Sequence, residues 1–527
     1  MAETKMRNMT SNHSSADPAP VPFYATPFGV WAIAAGWGLM HLLLRALNSP
    51  VLGTDDMFEN VLVQTLEAGY MLRQPPLYEW LLWSAQQIFG PTIWAALSVK
   101  YGLISVAALF LFLIARKALP DPRLAALCAF CYSLFYQFGW NLHEGVTHTV
   151  VLTVACAASA FFFIKALETG QLGFYVLFGV AVGTGLLGKH SYPIFVVALL
   201  LAALSDAHWR SRLRLAGLAL VPIAALFVYS PYAYWIFSEG LKLLPSVSQT
   251  MGVTAQTSHL ARAGEGLGRL LFGLLGFSVP LVPLVLLIFW QRFAGRNTPV
   301  SPGVPPAARL CGRTVLAMIL LTAVLIAVTG ATYVKERHMH PLMLLLPIYL
   351  FADLDRYRWG RQWRILGAVA ASLVVVVFVA RVPGLLAPDR FWCGGKCRHM
   401  KPYEDLRTPL LDVGAGQATL LTDNGYTGGN VRVLLPGARV VTPAIPARTP
   451  PRDSCFYIWE EGDAEPALPA AEQFEAVKAQ AGLQGAPISA RYLQGNWPHL
   501  WKTDGWRTTY WGVAELKPTD PACHLSE

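Results

Sequence analysis

The feature that most constrains this chain is a series of apolar runs, each close to the length that crosses a bilayer. A helix spans the hydrocarbon core with about 20 apolar residues, and runs of that kind recur between residues 28 and 382. About eleven candidate spans can be marked: 28–47, 93–115, 123–140, 147–165, 172–188, 192–206, 214–237, 267–290, 314–331, 341–354 and 365–382. A further apolar stretch, 76–90, carries Glu79, Gln86 and Gln87 and reads as an amphipathic helix lying in the interface. The chain is 54% hydrophobic and 14% charged, where soluble domains carry about a quarter charged residues. Membrane insertion accounts for that balance without a large water-soluble core.

The charge pattern orients the spans. Cytoplasmic loops collect Lys and Arg. With Lys5 and Arg7 of the polar tail (1–27) placed in the cytoplasm, alternate loops carry Arg116, Lys117 and Arg123; Lys165; Arg210, Arg212 and Arg214; Arg292, Arg296, Arg309 and Arg313; and Arg356, Arg358, Arg361 and Arg364. The intervening outer loops are poorer in cations, and the alternation puts residues 384–527 outside. The first span leads into acidic sequence without a small-residue cleavage site, so it reads as a retained helix. The net charge of +9 is then mostly loop Arg. No basic stripe with interleaved aromatics accompanies it, which argues against nucleic acid as a partner.

Beyond residue 384 the pattern changes. Pro436-Gly437 and Pro450-Pro451 turns separate short β-rich runs such as Val431–Leu435, Ala438–Thr442 and Thr508–Leu516. These predict a small α/β soluble domain. Four cysteines fall here: Cys393, Cys397, Cys455 and Cys523. An even set outside the cytoplasm fits disulfides, with three pairings open. Cys393–Cys397 with Cys455–Cys523 is preferred, and a zinc site is the weaker reading because no Cys-x2-Cys pair is present. The expected organisation is a polar tail (1–27), a mainly α membrane module (28–383) and the small C-terminal domain (384–527).

The first outer loop holds two adjacent carboxylates, Asp55 and Asp56, just past the end of the first span, with Glu59 three residues on. Asp56 and Glu59 fit a capping box at a helix start. The same acids fit a general base or metal ligand at the membrane surface. Gly69-Tyr70 and Gln74-Pro75-Pro76-Leu77 follow, and the Pro-Pro pair sets a rigid extended lead into the 76–90 helix.

Together these blocks resemble the C-type polyprenyl-phosphate-sugar glycosyltransferases, in particular the bacterial relatives of protein O-mannosyltransferases and of lipid A aminoarabinose transferases. The resemblance runs to about residue 350. It includes Lys100 early in the second span, Ala166 to Gly170, Gly185 to His190, and Glu336 to Pro341. The chain departs from the family in reading His143 to Thr149 where Pro-Asp-Ala is common. It also has Asp56 where the pair usually ends in Glu, and His338 and His340 where aromatic or aliphatic residues are commoner.

The resemblance implies a sugar moved from a polyprenyl-phosphate donor to an envelope acceptor (lipid A, polysaccharide or protein) by a single inverting displacement on the periplasmic side of a bacterial inner membrane. Asp55 is the implied base, with Asp56 as its helper or a cap. Lys189 and Arg337, with Lys100 deeper, are the implied cations for the leaving phosphate. Snorkelling anchors are the plain alternative for Lys189 and Arg337. His143, Glu144, His148, His190, His338, His340 and Tyr70 are candidate contacts to substrate. No cofactor is required. His143, Glu144 and His148 could take a divalent metal, but the histidines are five apart and so lack the spacing that puts two ligands on one helix face. His259, in the 238–266 loop, could belong to an acceptor flap. The rival readings are a transporter or lipid flippase, which predicts internal repeats and helices broken near the midplane, and a catalytically dead relative whose outer domain binds a glycan or partner. No repeat is evident.

Overall fold

The computed structural model describes residues 20–527 apart from 242–245, 247–248, 250, 254–257, 302, 390–393, 444, 446–447, 480, 503–505 and 526–527. Lys5, Arg7 and Cys393 therefore lie outside the described residues. Thr26 starts the first helix, α1 (Pro27–Ala46): its hydroxyl accepts from the Gly29 N–H, and Pro27 sits where the helix needs no donor. Two short helices follow, α2 (Thr54–Leu62) and α3 (Leu77–Phe89), then α4 (Ile93–Ala118) and α5 (Pro122–Phe130). The chain continues through α6 (His148–Thr169), α7 (Leu172–Gly188), α8 (Tyr192–Ser205), α9 (Leu215–Ser238), α10 (His259–Ser278) and α11 (Leu281–Ile288). The bundle ends with α12 (Pro306–Thr329), α13 (Leu346–Leu354) and α14 (Arg361–Leu386).

Six of these, α1, α4, α6, α9, α12 and α14, are long and apolar enough to cross a membrane, and α5, α7 and α8 are shorter apolar helices beside them. The chain is a multi-pass membrane protein. Its bundle is held by α1 on α4, α6 on α7, α7 on α9 and α8 on α12. Three expected spans are not continuous helices. The 123–140 run breaks at Phe135, the 267–290 run at Val279-Pro280, and the 341–354 run at Leu344 and Leu345. The breaks satisfy one another, as backbone inside a bilayer must. Tyr136 N–H donates to the Val279 carbonyl at 3.0 Å, and the Tyr132 hydroxyl donates to the Leu344 carbonyl. His259 belongs to the first turn of α10, because Ser258 caps that helix on the Ala261 N–H; it is not in a loop.

The short helices differ from the spans in which face they bury. On α3 the buried residues are Tyr78, Glu79, Leu82 and Gln86, while Ile88 and Phe89 are exposed. Two of its polar side chains, Glu79 and Gln86, therefore point into the protein. The lead into α3 is a turn in which Met71 pairs with Gln74. Gly69 lies before it against α9; a Cβ there would meet the Trp235 ring at 2.3 Å, so only glycine fits.

The C-terminal region builds one five-stranded sheet from β1 (Thr419–Thr422), β2 (Arg439–Val441), β3 (Cys455–Gly462), β4 (Ser489–Asn496) and β5 (Thr508–Leu516). The strand order is β2-β1-β3-β5-β4. β1 runs parallel to both β2 and β3, and β5 is antiparallel to β3 and β4. A parallel neighbour needs a crossover, which α15 (Gly425–Leu434) supplies between β1 and β2; α16 (Ala470–Lys478) packs on β4 and β5. Cys455 and Cys523 form a disulfide, and Cys397 is also disulfide-bonded.

This region is docked on α2. The Leu52 N–H donates to Asn430 Oδ1 at 2.7 Å, and Asn60 Nδ2 donates to the Gly429 carbonyl at 2.9 Å. Gln64 makes two bonds to the Val440 backbone, at 2.8 and 2.9 Å. Buried Arg432 donates to the Val63 carbonyl and to Gln86 Oε1. A Cβ at Gly429 would lie 2.2 Å from the Met57 carbonyl, so α15 and α2 touch through backbone.

Candidate active site

α2 begins at Gly53 without a side-chain cap, and Asp55 and Asp56 both sit in its first turn, where the helix dipole favours them. The expected capping box is absent, because Asp56 and Glu59 are turned into the protein and engaged there. Asp55 faces outward. Its Oδ2 lies 3.8 Å from Arg337 Nη1, a charge pair longer than a hydrogen bond. Burial pushes the Asp55 carboxyl above its usual range; Arg337 pulls it back, and Asp56 and Glu59 add to the rise.

Lys189 follows the last turn of α7, and its Nζ donates to Thr149 Oγ1 at 3.1 Å. Burial pushes its pKa down to about 8, with Arg337 and Arg73 adding repulsion and Asp55 opposing it. Asp55, Lys189 and Arg337 therefore gather at one place, the mouth, within electrostatic reach of one another, and Arg73, exposed in the Met71–Gln74 turn, also acts on Lys189. Lys335 stands nearby: burial, then Lys189, Arg337 and Lys335 together, hold His338 down to about 3, so this imidazole is neutral.

Lys100 is not in this mouth. Its side chain is fully buried and pairs with Asp56 Oδ2 at 3.2 Å. It neutralises Asp56 and is closed to a donor phosphate, and Asp56 is likewise a buried counter-ion without access to substrate. A buried charge persists only when paired, and these two pair with each other.

The remaining candidates divide. Tyr70 is buried, donates its hydroxyl to the Thr65 carbonyl at 2.8 Å and accepts from the Glu67 N–H. It folds the loop and does not face the mouth. His143 is buried against His41, their rings stacked with centroids 3.9 Å apart. Its Nδ1 lies 2.7 Å from the Tyr101 hydroxyl, while Arg381 donates to His41 at 2.7 Å. It belongs to that buried network. Glu144 is exposed. His190 donates to the Leu72 carbonyl at 2.9 Å, pinning the turn that carries Arg73. His340 donates to the Arg337 carbonyl at 2.8 Å and packs on Phe138 and Phe277, so it fixes the backbone behind Arg337. His338 accepts from the Lys335 N–H at 3.3 Å and closes that turn.

His148 opens α6 and meets two carboxylates: its Nε2 is 3.2 Å from Glu59 Oε1 and 3.6 Å from Glu79 Oε1. Burial, with Glu59 adding to it and His148 opposing, pushes Glu79 up to about 8. Glu79 and Arg73 were not singled out from sequence. Glu59 had a usable signal, since it lies three residues after Asp56, one turn along the same buried face of α2. Glu79 and Arg73 had none.

Set against known proteins, residues 73–235 match the family model described as dolichyl-phosphate-mannose-protein mannosyltransferase. The chain is 26% identical over 475 residues to the lipopolysaccharide core galacturonosyltransferase RgtB of Rhizobium johnstonii, covering 88% of this chain and 94% of that one. It is 27% identical over 464 residues to RgtA of the same organism, covering 86% and 91%. A 179-residue stretch is 29% identical to the undecaprenyl phosphate-alpha-4-amino-4-deoxy-L-arabinose arabinosyl transferase of Pseudomonas aeruginosa, covering 30% of this chain and 31% of that one. The crystal structure of ArnT from Cupriavidus metallidurans bound to undecaprenyl phosphate has the same fold, with a TM-score of 0.52 at 13% identity over 92% of this chain and 97% of that one.

Proposed function

We propose that this chain, a C-type glycosyltransferase, moves a uronic acid of the galacturonic class from a polyprenyl-phosphate carrier to a lipopolysaccharide-type acceptor. The observation that carries this reading is the shared mouth: an outward carboxylate, Asp55, 3.8 Å from Arg337 and within electrostatic reach of Lys189. The two relatives that align along nearly the whole chain are named galacturonosyltransferases. A sugar bearing its own carboxylate suits a mouth in which Arg73, Lys189, Lys335 and Arg337 gather around one outward acid.

In this reading Asp55 takes the proton of the acceptor hydroxyl as its oxygen bonds to the anomeric carbon. The bond from that carbon to the phosphate oxygen breaks on the opposite face, and the configuration inverts. The polyprenyl phosphate leaves with the charge of the broken bond, which Lys189 and Arg337 stabilise. His340 and His190 act behind them by fixing the backbone at Arg337 and at the Arg73 turn. The polar tail is placed in the cytoplasm of a bacterial cell and residues 384–527 in the periplasm, with the membrane module (28–383) in the inner membrane. A transporter would use its helix breaks to hold cargo. Here the breaks near Phe135, Pro280 and Leu344 bond to one another and are packed by Phe138 and Phe277.

The test is transfer by purified full-length protein in detergent, with a panel of polyprenyl-phosphate-linked galacturonic acid, aminoarabinose, galactose and mannose. Transfer from the uronic donor, lost in Asp55→Asn while donor binding persists, supports the reading. Transfer from a neutral sugar alone would overturn the sugar assignment, and unchanged turnover in Asp55→Asn would overturn the base.

A further inference from the structure

One turn beyond Asp55, on the buried side of α2, lies a second cluster that the transfer chemistry does not use. Glu59 comes from α2, Glu79 from the first turn of α3 and His148 from the first turn of α6. One ligand atom from each lies within 4.8 Å of the others. The side chains are 7%, 1% and 6% exposed respectively. Glu59 Oε2, Glu79 Oε2 and His148 Nδ1 are buried and have no hydrogen-bond partner among the described residues. The flanking cations are directed elsewhere, Lys100 to Asp56 and Lys189 to Thr149.

Two carboxylates and one imidazole from three separate helices converge on one buried point, and polar atoms left there without partners are costly. We infer that Glu59, Glu79 and His148 bind a divalent first-row transition cation of the zinc class, which clamps α2, α3 and α6 together behind Asp55. The donor set is right for such an ion: two carboxylate oxygens and one imidazole nitrogen. The spacing is right as well. Bonds of about 2.1 Å in tetrahedral geometry put neighbouring ligand atoms about 3.4 Å apart, and His148 Nε2 stands 3.2 Å from Glu59 and 3.6 Å from Glu79. Three helices distant in sequence would thus be tied at one point, and α2 could not rotate Asp55 out of the mouth without breaking a ligand. His143 and Glu144, once grouped with His148 as ligand candidates, take no part, because His143 is stacked on His41 and Glu144 is exposed.

The clamp is independent of which sugar is transferred, so its test reads metal and stability. Full-length protein in detergent is stripped with a chelator, dialysed, and reloaded separately with Zn2+, Mn2+ and Mg2+. Metal content is measured by plasma mass spectrometry and thermal midpoint by intrinsic fluorescence, on wild type and on Glu79→Gln and His148→Gln. Expected are about one tightly held Zn2+ or Mn2+ per chain and a midpoint that falls on chelation and recovers on reloading. Both isosteric variants should lose at least about tenfold in metal affinity and become insensitive to chelator. If either variant fails to fold, the chelation and recovery of the wild type decide alone. Wild type that holds no stoichiometric metal after reloading, variants that hold as much as wild type, or a midpoint indifferent to chelator would each overturn the clamp. The first of these outcomes would leave Glu79 and His148 as a proton-sharing pair.

Discussion

Asp55 and Asp56 are neighbours in sequence and opposites in the structure. Asp55 pairs loosely with Arg337 at 3.8 Å, and both side chains are about a third exposed, at 37% and 35%. Asp56 pairs tightly with Lys100 at 3.2 Å, and these side chains are 4% and 0% exposed. The first pair leaves an acid with room for a substrate and a cation free to change partners. The second gives each charge the counter-ion without which it could not be buried. One residue step within the first turn of α2 thus separates chemistry from structure, and residue type alone does not distinguish them.

The largest effect should come from the outward side. Asp55→Asn is expected to lower kcat by about a hundred- to ten-thousand-fold while leaving the thermal midpoint in detergent unchanged; a matching loss of stability would mean the two aspartates are not opposites. Lys100→Met should do the reverse. It strands Asp56 and should destabilise the protein by about 3–5 kcal/mol, and adding Asp56→Leu should recover most of that in the same unfolding measurement. If Lys100→Met instead spared stability and abolished donor binding, Lys100 would belong with the mouth after all.

A third substitution reaches Asp55 from the C-terminal region. Gly429→Ala puts a Cβ against the Met57 carbonyl and should cost about 1–3 kcal/mol, with a fall in kcat as α2 shifts; unchanged kinetics would show that the docked sheet does not position the base. The smallest effect is a pH shift. Asp55 must be ionised to accept a proton, so the rate falls as pH drops through its pKa. Burial already raises that pKa, and Arg337 lowers it. Arg337→Gln should therefore move the acid limb of kcat/KM upward. Lys100→Met should move it less, since Lys100 comes last among the charges that Asp55 feels. An equal shift in both variants would erase the distinction.

Much of the architecture was legible because membrane insertion writes itself into sequence as apolar length. The helices α1, α4, α6, α7, α8, α9, α12 and α14 fall where the runs fall, and the family blocks lie in the expected order. The broken spans were not legible: hydropathy is blind to whether a run is one helix or two, and the breaks at Phe135 and Pro280 exist because each satisfies the other's backbone. Of the candidate site, Asp55, Lys189 and Arg337 come together, while Lys100, Tyr70 and His143 do not. A lysine or histidine at the edge of a span reads the same whether it faces a cavity or a neighbouring helix.

What the sequence determined by itself was the class of molecule: apolar runs and loop charges leave a multi-pass membrane protein, and the acidic pair with its following motifs resembles the C-type glycosyltransferases. What only the tertiary structure decided was which acid faces out. That depends on the rotation of α2, set by Gly429 and Asn430 on one side and by Lys100 on the other, residues far away in the chain. The docking of the C-terminal region on α2, and the meeting of Glu59, Glu79 and His148, were decided in the same way. Contacts between distant segments follow from close packing in three dimensions, and a linear pattern carries no record of them.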